Sequence, residues 1–127
     1  AFDFSGPLCL RQHLACRYCH LVGEEGPGGA VWASGVVLAQ FLAAKGFGRA
    51  SLRGMRALEL GSGTGIGGLA AALLGASVLL TDREPLVPLM QLNIGLNRRH
   101  LLDAAGEAQC TSFDWLCTAV PTNPFEQ

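Results

Sequence analysis

The sequence has few charged residues and almost no imbalance of charge. Charged side chains make up 15% of the 127 residues, and ten acidic residues against nine basic ones leave a formal net charge of −1. A chain without a basic field is not expected to bind nucleic acid through its overall charge. Half of the residues are hydrophobic, which is not the composition of a disordered chain. The length predicts one domain with a single core.

No basic segment followed by an apolar one opens the chain, so we expect no secretory leader. The five cysteines are an odd number, which does not favour a complete disulfide framework. We expect reduced thiols in an intracellular protein, in the cytoplasm or in the nucleus. The chain begins at Ala1 rather than at methionine, and we therefore expect a fragment or a processed product.

One short motif could indicate a metal centre. Residues 16–20 read CRYCH, which is the pattern of covalent haem attachment, but nothing else indicates the oxidising compartment that this attachment needs. A zinc site on Cys16, Cys19 and His20 would have to recruit Cys9, the only nearby candidate for a fourth ligand. We predict no metal and interpret these cysteines as small apolar residues.

The stretch from 60 to 81 contains no charged residue and is long enough to cross a membrane. Glycines crowd its beginning, and Gly75 interrupts the rest. A glycine turn, a short helix and a β-branched strand explain this stretch better, so we predict no membrane partner.

The order of the predicted elements indicates an α/β fold. We predict strands at 55–60, 77–81 and 109–113, and helices at 34–44, 67–74 and 85–96. Strands that alternate with helices form a parallel sheet, and a ligand then binds at the carboxyl ends of the strands. We expect the first strand to be buried. The predicted buried faces of the first and last helices are Val37, Leu38, Phe41 and Leu42, and Leu86, Leu89, Met90 and Ile94.

The glycine-rich segment ELGSGTGIGG at 59–68 can be read in two registers. Gly63, Gly65 and Gly68 form G-x-G-x-x-G, the fingerprint of a dinucleotide site. Glu59 with Gly61, Gly63 and Gly65 forms E-x-G-x-G-x-G, the loop associated with S-adenosylmethionine. The glycines alone do not distinguish a methyl donor from a nicotinamide cofactor.

Glu59 favours the second register. A dinucleotide loop holds a pyrophosphate at a helix N-terminus, and a carboxylate at the end of the preceding strand would oppose that negative charge. S-adenosylmethionine has no phosphate and carries a sulfonium and an ammonium group, so the carboxylate is tolerable or helpful. Asp82 does not discriminate, since both cofactors present ribose hydroxyls. An NAD-dependent oxidoreductase remains the less favoured alternative.

Several segments together resemble a known family. The stretches at 30–42, 52–82, 93–97 (NIGLN) and 113–115 (FDW) are similar to seven-β-strand protein-lysine methyltransferases of the methyltransferase-21-like group, also called family 16. The opening FDFSGPLCLRQ resembles the N-terminal hairpin of that family. The resemblance covers residues 2–115.

This resemblance implies a Rossmann-like class I S-adenosylmethionine-dependent methyltransferase fold, with a parallel sheet, flanking helices and an N-terminal β-hairpin. It implies S-adenosyl-L-methionine as cofactor and a protein substrate whose lysine side chains are methylated. No catalytic residue can be named. The cofactor-binding residues that the resemblance and the loop motif predict are Trp32, Glu59, Gly61, Ser62, Gly63, Gly65, Asp82 and Trp115.

The sequence also departs from the family pattern. The fourth strand, with its acidic motif and nearby tyrosine, is missing, as are the later strands, and Leu116 stands where the family has glycine. We therefore expect a single truncated domain, 1–127, with a hairpin and loop at 1–30, a cofactor-binding core at 31–115 and an irregular tail at 116–127. The alternative is a non-catalytic isoform or fragment that acts at most as a binding module.

Overall fold

The computed structural model of the protein describes residues 26–44 and 51–116. In chain order these residues form a 3-10 turn (Gly26–Gly29), helix α1 (Ala33–Ala43), strand β1 (Arg56–Leu60), helix α2 (Ile66–Leu73), strand β2 (Ser77–Asp82), a second 3-10 turn (Glu84–Leu86), helix α3 (Val87–Ala104) and strand β3 (Glu107–Ser112). The predicted N-terminal hairpin, the CRYCH motif and all of the predicted tail except Leu116 lie outside the described residues.

The three strands form one parallel sheet in the order β1-β2-β3, which confirms the predicted parallel arrangement. Leu60 at the end of β1 pairs with Thr81, and Asp82 at the end of β2 pairs with Ser112. The strands therefore end almost level with each other. The residues that follow each strand meet at one edge of the sheet, where a ligand of a parallel α/β fold binds.

Helices α2 and α3 pack on the same face of this sheet. Alternate strand residues, among them Ala57, Val78 and Leu80, belong with residues of both helices to one hydrophobic core. Leu58 and Leu60 lie on the opposite face and are 58% and 53% exposed. The prediction of a buried first strand is wrong for these two residues, because no described helix covers the face on which the pleat places them.

Helix α2 is built from small residues because it is enclosed on several sides. Residues 67–72 are all buried, and a Cβ added to Gly68 would meet the side chain of Leu80. Gly75 follows the helix with φ +97°, which confirms the predicted glycine at C′. The absence of side-chain bulk lets α2 lie close to the sheet, and this close packing fixes where its first turn points.

The buried side of α1 differs from the predicted one. Val37, Leu38 and Phe41 are exposed, whereas Ala39 and Leu42 are buried. Helix α1 packs on α2, and small residues let two helices approach closely. Apolar residues occur around most of α1, so the periodicity could not single out the contact side. The predicted cap is also wrong, since Trp32 rather than Ser34 is the N-cap and makes no side-chain cap bond.

Helix α3 begins at Val87, two residues after the predicted start at 85, because a 3-10 turn precedes it, and it continues to Ala104, eight residues beyond the predicted end at 96. The predicted core residues Leu86, Leu89 and Met90 are buried, and Ile94 is partly buried against the core. The apolar pattern fades after Ile94 because the next buried position of the helix is Asn97. Asparagine is seldom fully buried, so the sequence did not indicate that the buried side continues.

The described part of the chain gives no support for a membrane span or a metal centre. Among residues 26–44 and 51–116, no helix is both long and apolar enough to cross a bilayer. The same residues contain no group of three or more histidine, cysteine or acidic side chains placed to hold a metal ion.

Candidate functional site

The loop between β1 and α2 has an unusual backbone that only glycine adopts without strain. Gly61, Gly63 and Gly65 have φ values of +67°, +53° and +79°, so every second residue is in the left-handed region. The Gly65 amide donates to the Ser62 carbonyl oxygen at 2.7 Å, which closes the turn before α2 begins. The loop thus passes the ends of the strands with no side chain at three of its positions, and Gly63 and Gly65 are buried.

Ser62 ties this loop to the neighbouring strand. Its amide donates to the carbonyl oxygen of Thr81 at 2.9 Å, and its hydroxyl accepts from the Thr81 amide at 3.0 Å. The same hydroxyl donates to the carbonyl oxygen of Glu59 at 3.2 Å. These bonds hold Ser62 between β1 and β2 and make the start of the loop rigid.

Asp82 anchors the middle of the loop. One carboxylate oxygen accepts a hydrogen bond from the Gly63 amide at 2.7 Å, and the other accepts from the Arg83 amide at 2.8 Å. Each oxygen keeps a further lone pair. The carboxylate therefore shapes the loop and can still accept a hydrogen bond from a hydroxyl group of a ligand.

A concave pocket of about 360 Å³ opens beside the loop. The segment 27–35 forms one wall and the loop with the start of α2 forms the other. The lining residues are Pro27, Gly28, Ala30, Trp32, Ser34, Gly35, Glu59, Gly61, Ser62, Gly63, Thr64 and Ile66. The volume falls in the range of small-molecule and cofactor sites.

Five of the eight predicted site residues line this pocket, namely Trp32, Glu59, Gly61, Ser62 and Gly63. The other three lie around it. Gly65 is buried behind the loop at the start of α2, Asp82 holds Gly63, and Trp115 packs against Gly61, where an added Cβ would be 3.2 Å from its ring. The structure thus groups the predicted residues at one edge of the sheet.

Trp32 is held at the rim of the pocket. Its indole N–H donates to the Pro27 carbonyl oxygen at 2.9 Å, and the side chain is 58% exposed. The bond closes the segment 27–32 on itself, so one wall of the pocket has a fixed shape. Trp115 is 67% exposed, and both rings can therefore contact a bound molecule.

Sequence reasoning missed much of the wall at 27–35. Gly28 and Gly35 were interpreted only as loop and helix residues, yet the Gly28 carbonyl oxygen lies 2.5 Å from where a Cβ of Gly63 would be. Thr64 and Ile66 also line the pocket. The glycine-rich run at 26–29 was the available signal, because close backbone approach is one of the few reasons for such a run.

Glu59 is the unusual charged group of the site. Its Oε2 atom is buried and has no hydrogen-bond partner among the described residues. Burial raises the pKa of this carboxyl above its ordinary value of 4.5, the Gly68 amide and the Ser62 hydroxyl lower it, and the charge of Asp82 raises it, with burial the largest effect. An incompletely paired carboxylate in a pocket wall is suited to a cationic ligand group.

Glu59→Gln should stabilise the unliganded chain at neutral pH. Because the folded-state pKa of Glu59 is raised, the native protein binds this proton more tightly than the unfolded chain does. Stability from this group is therefore lost as the pH rises from about 4.5 through the raised pKa. Urea unfolding of both proteins across this pH range should show that the variant's free energy of unfolding exceeds that of the wild type by an amount that grows as the pH rises. A wild-type chain that is equally stable at neutral pH would contradict this interpretation.

A parallel α/β sheet with a glycine loop after β1, an acid after β2 and a pocket at the strand ends defines a Rossmann-like cofactor-binding domain. The comparison with known families then identifies the family. The model of a lysine methyltransferase family matches residues 19–124, which is most of the chain. The chain belongs to this lysine methyltransferase family, and the fold is the class I methyltransferase fold, in part. The predicted resemblance is confirmed.

Curated relatives agree with this membership. Protein N-lysine methyltransferase METTL21A of Danio rerio is 46% identical over 72 residues, covering 57% of this chain and 32% of the relative. Protein-lysine N-methyltransferase EFM6 of Saccharomyces cerevisiae is 35% identical over 97 residues, covering 65% and 39%. Methyltransferase-like protein 22 of Homo sapiens is 34% identical over 101 residues, covering 79% and 24%. The chain spans about a third of the length of the first two relatives.

Proposed function

We propose that this chain carries the S-adenosylmethionine-binding part of a protein-lysine methyltransferase. The observation that supports this most strongly is Glu59, a carboxylate that lines the pocket and whose buried Oε2 atom has no hydrogen-bond partner among the described residues. S-adenosylmethionine presents an ammonium and a sulfonium group and no phosphate, so its charges complement this carboxylate. A pyrophosphate would be repelled by it.

The remaining residues fit the same cofactor. Bare backbone at Gly61 and Gly63 leaves room for the methionine part beside Trp32. The remaining lone pairs of the Asp82 carboxylate can accept hydrogen bonds from the ribose hydroxyls. The exposed ring of Trp115 next to Gly61 offers an apolar surface for the adenine. In this arrangement Ser62 and Gly65 keep the loop in shape, and Ser62 also lines the pocket.

The glycines by themselves support both cofactors equally. Gly61, Gly63 and Gly65 need their left-handed backbone, and Gly68 needs its missing side chain for packing against Leu80. The fold therefore explains the presence of every glycine in both registers, whichever cofactor binds. Within the loop, the charge of Glu59 is the feature that favours a methyl donor over NAD.

When bound, the cofactor supplies a methyl group on a positively charged sulfur. The residues of this chain orient that group and exclude water from it, through the wall at 27–35 and the loop at 61–66. The acceptor in this proposal is a lysine of a protein substrate, which must lose its proton first, and a low-dielectric channel favours the neutral amine. We expect the protein to act in the cytoplasm or nucleus.

Calorimetry with S-adenosylhomocysteine tests this proposal. We expect the chain to bind one molecule and to bind NAD much more weakly. Glu59→Gln should lower the affinity by roughly tenfold or more, because a hydrogen bond to a charged group is lost, although the same substitution stabilises the unliganded chain. Preference for NAD, or unchanged affinity of the Glu59 variant, would overturn the assignment.

A further inference from the structure

Two asparagines on α3 occupy core positions where apolar residues are expected. Asn93 and Asn97 are both fully buried, at 0% exposure, and they continue the stripe formed by Leu89, Met90 and Leu101. Asparagine is a weak helix former in a helix interior, and a buried amide costs stability unless it is hydrogen-bonded. The bonds these amides make should therefore account for their presence.

The two amides make different bonds. The Asn93 Nδ2 atom donates to the carbonyl oxygen of Thr64 at 2.8 Å, which joins the middle of α3 to the glycine loop 29 residues earlier. The Asn97 Nδ2 atom donates to the Asn93 carbonyl oxygen at 2.8 Å, within the same helix. Both bonds are buried.

The position of Thr64 affects both the shape of the loop and the wall of the pocket. It lies between Gly63 and Gly65, which are both in the left-handed region, and it lines the pocket. The loop is held from β2 at Ser62 and Gly63 by Thr81 and Asp82. The bond from Asn93 holds the next residue from a different element, α3.

We propose that Asn93 is a positioning residue for the cofactor loop. It fixes the Thr64 peptide, and through it the two flanking glycines, in the shape that forms the pocket wall. It touches no ligand in this proposal and acts through Thr64. The inference that this affects cofactor affinity rests on the proposed function of the pocket.

Matched leucine substitutions test this role, because leucine branches at Cγ as asparagine does but carries neither the amide donor nor the acceptor. Asn93→Leu should lower the affinity for S-adenosylhomocysteine by about tenfold, the equivalent of one buried hydrogen bond, and should speed amide hydrogen exchange at residues 63–65. Asn97→Leu, equally buried one turn later, should leave affinity within about twofold and loop exchange unchanged. Equal effects of the two variants on affinity and on loop exchange would overturn the proposal.

Loop exchange separates this inference from the proposed function. If the wild-type chain bound no S-adenosylhomocysteine, the proposed function would fail, while faster exchange at residues 63–65 in Asn93→Leu alone would still support the positioning role. If Asn93→Leu does not fold, a through-hydrogen-bond scalar coupling between Asn93 Nδ2 and the Thr64 carbonyl carbon in the wild-type chain replaces it. Slow side-chain exchange of Asn93 with a detectable coupling supports the role, and rapid exchange without coupling refutes it.

Discussion

Gly63→Ala should reduce the affinity for S-adenosylhomocysteine by at least about a hundredfold. Gly63 has φ +53°, and an alanine in the left-handed region costs roughly 1–2 kcal/mol. In addition, the new Cβ would lie 2.5 Å from the Gly28 carbonyl oxygen. That atom belongs to the backbone of the opposite pocket wall, so the two walls must move apart. Calorimetry on the folded variant measures the loss.

Gly54→Ala is the matched control for this prediction. Gly54 also has a positive φ, +78°, but a Cβ added there meets nothing within 4 Å, and Gly54 does not line the pocket. This variant should lose about 1 kcal/mol of stability from backbone strain alone and should keep its cofactor affinity. If Gly63→Ala bound as tightly as Gly54→Ala, the close approach of the two walls would not matter for binding.

Gly106→Ala should be the most destabilising of these substitutions, by roughly 3 kcal/mol. Gly106 connects α3 to β3, and a Cβ there would overlap the carbonyl oxygen of Ala72 in α2. A backbone oxygen in a packed helix cannot turn away as a side chain can. The whole connection must shift, including the hydrogen bond that the Gly106 amide donates to the Leu101 carbonyl oxygen at 2.9 Å. Urea unfolding monitored by circular dichroism measures the change.

Gly95→Ala should act in the opposite direction. Gly95 lies within α3, and an added Cβ meets nothing within 4 Å, so alanine should stabilise the helix by roughly 0.5–1 kcal/mol. Both variants add one methyl group, one within α3 at Gly95 and one just after its end at Gly106. A Gly106 variant as stable as Gly95→Ala would mean that the α3–β3 connection does not approach α2 as closely as described.

The general architecture could be predicted from the sequence because it depends on local patterns. Short apolar runs that alternate with glycine-punctuated helices predicted a parallel sheet, and Gly75 marked the end of α2. The order Glu59, Gly61, Gly63, Asp82 placed the candidate site at the strand ends. These features need no knowledge of which elements pack together.

Features that depend on packing could not be predicted in this way. On α1, Ala39 rather than Phe41 faces the core of the protein, because the small residues of α2 let the two helices approach closely. Leu58 is exposed because helices α2 and α3 lie on the other face of the sheet. The wall at 27–35 becomes part of the site only through contact with Gly63, and Asn93 looks like a surface residue until its bond to Thr64 is seen.

The most direct test of the central claim is to locate the ligand on the chain. Adding S-adenosylhomocysteine to isotope-labelled protein should shift the amide resonances of Gly61, Ser62 and Gly63 and the indole N–H of Trp32 more than any others. The same titration of Glu59→Gln should require a higher ligand concentration for the same shifts. Largest shifts at residues remote from the pocket, such as those of the exposed sheet face around Leu58, or no shifts at saturating ligand, would contradict the account.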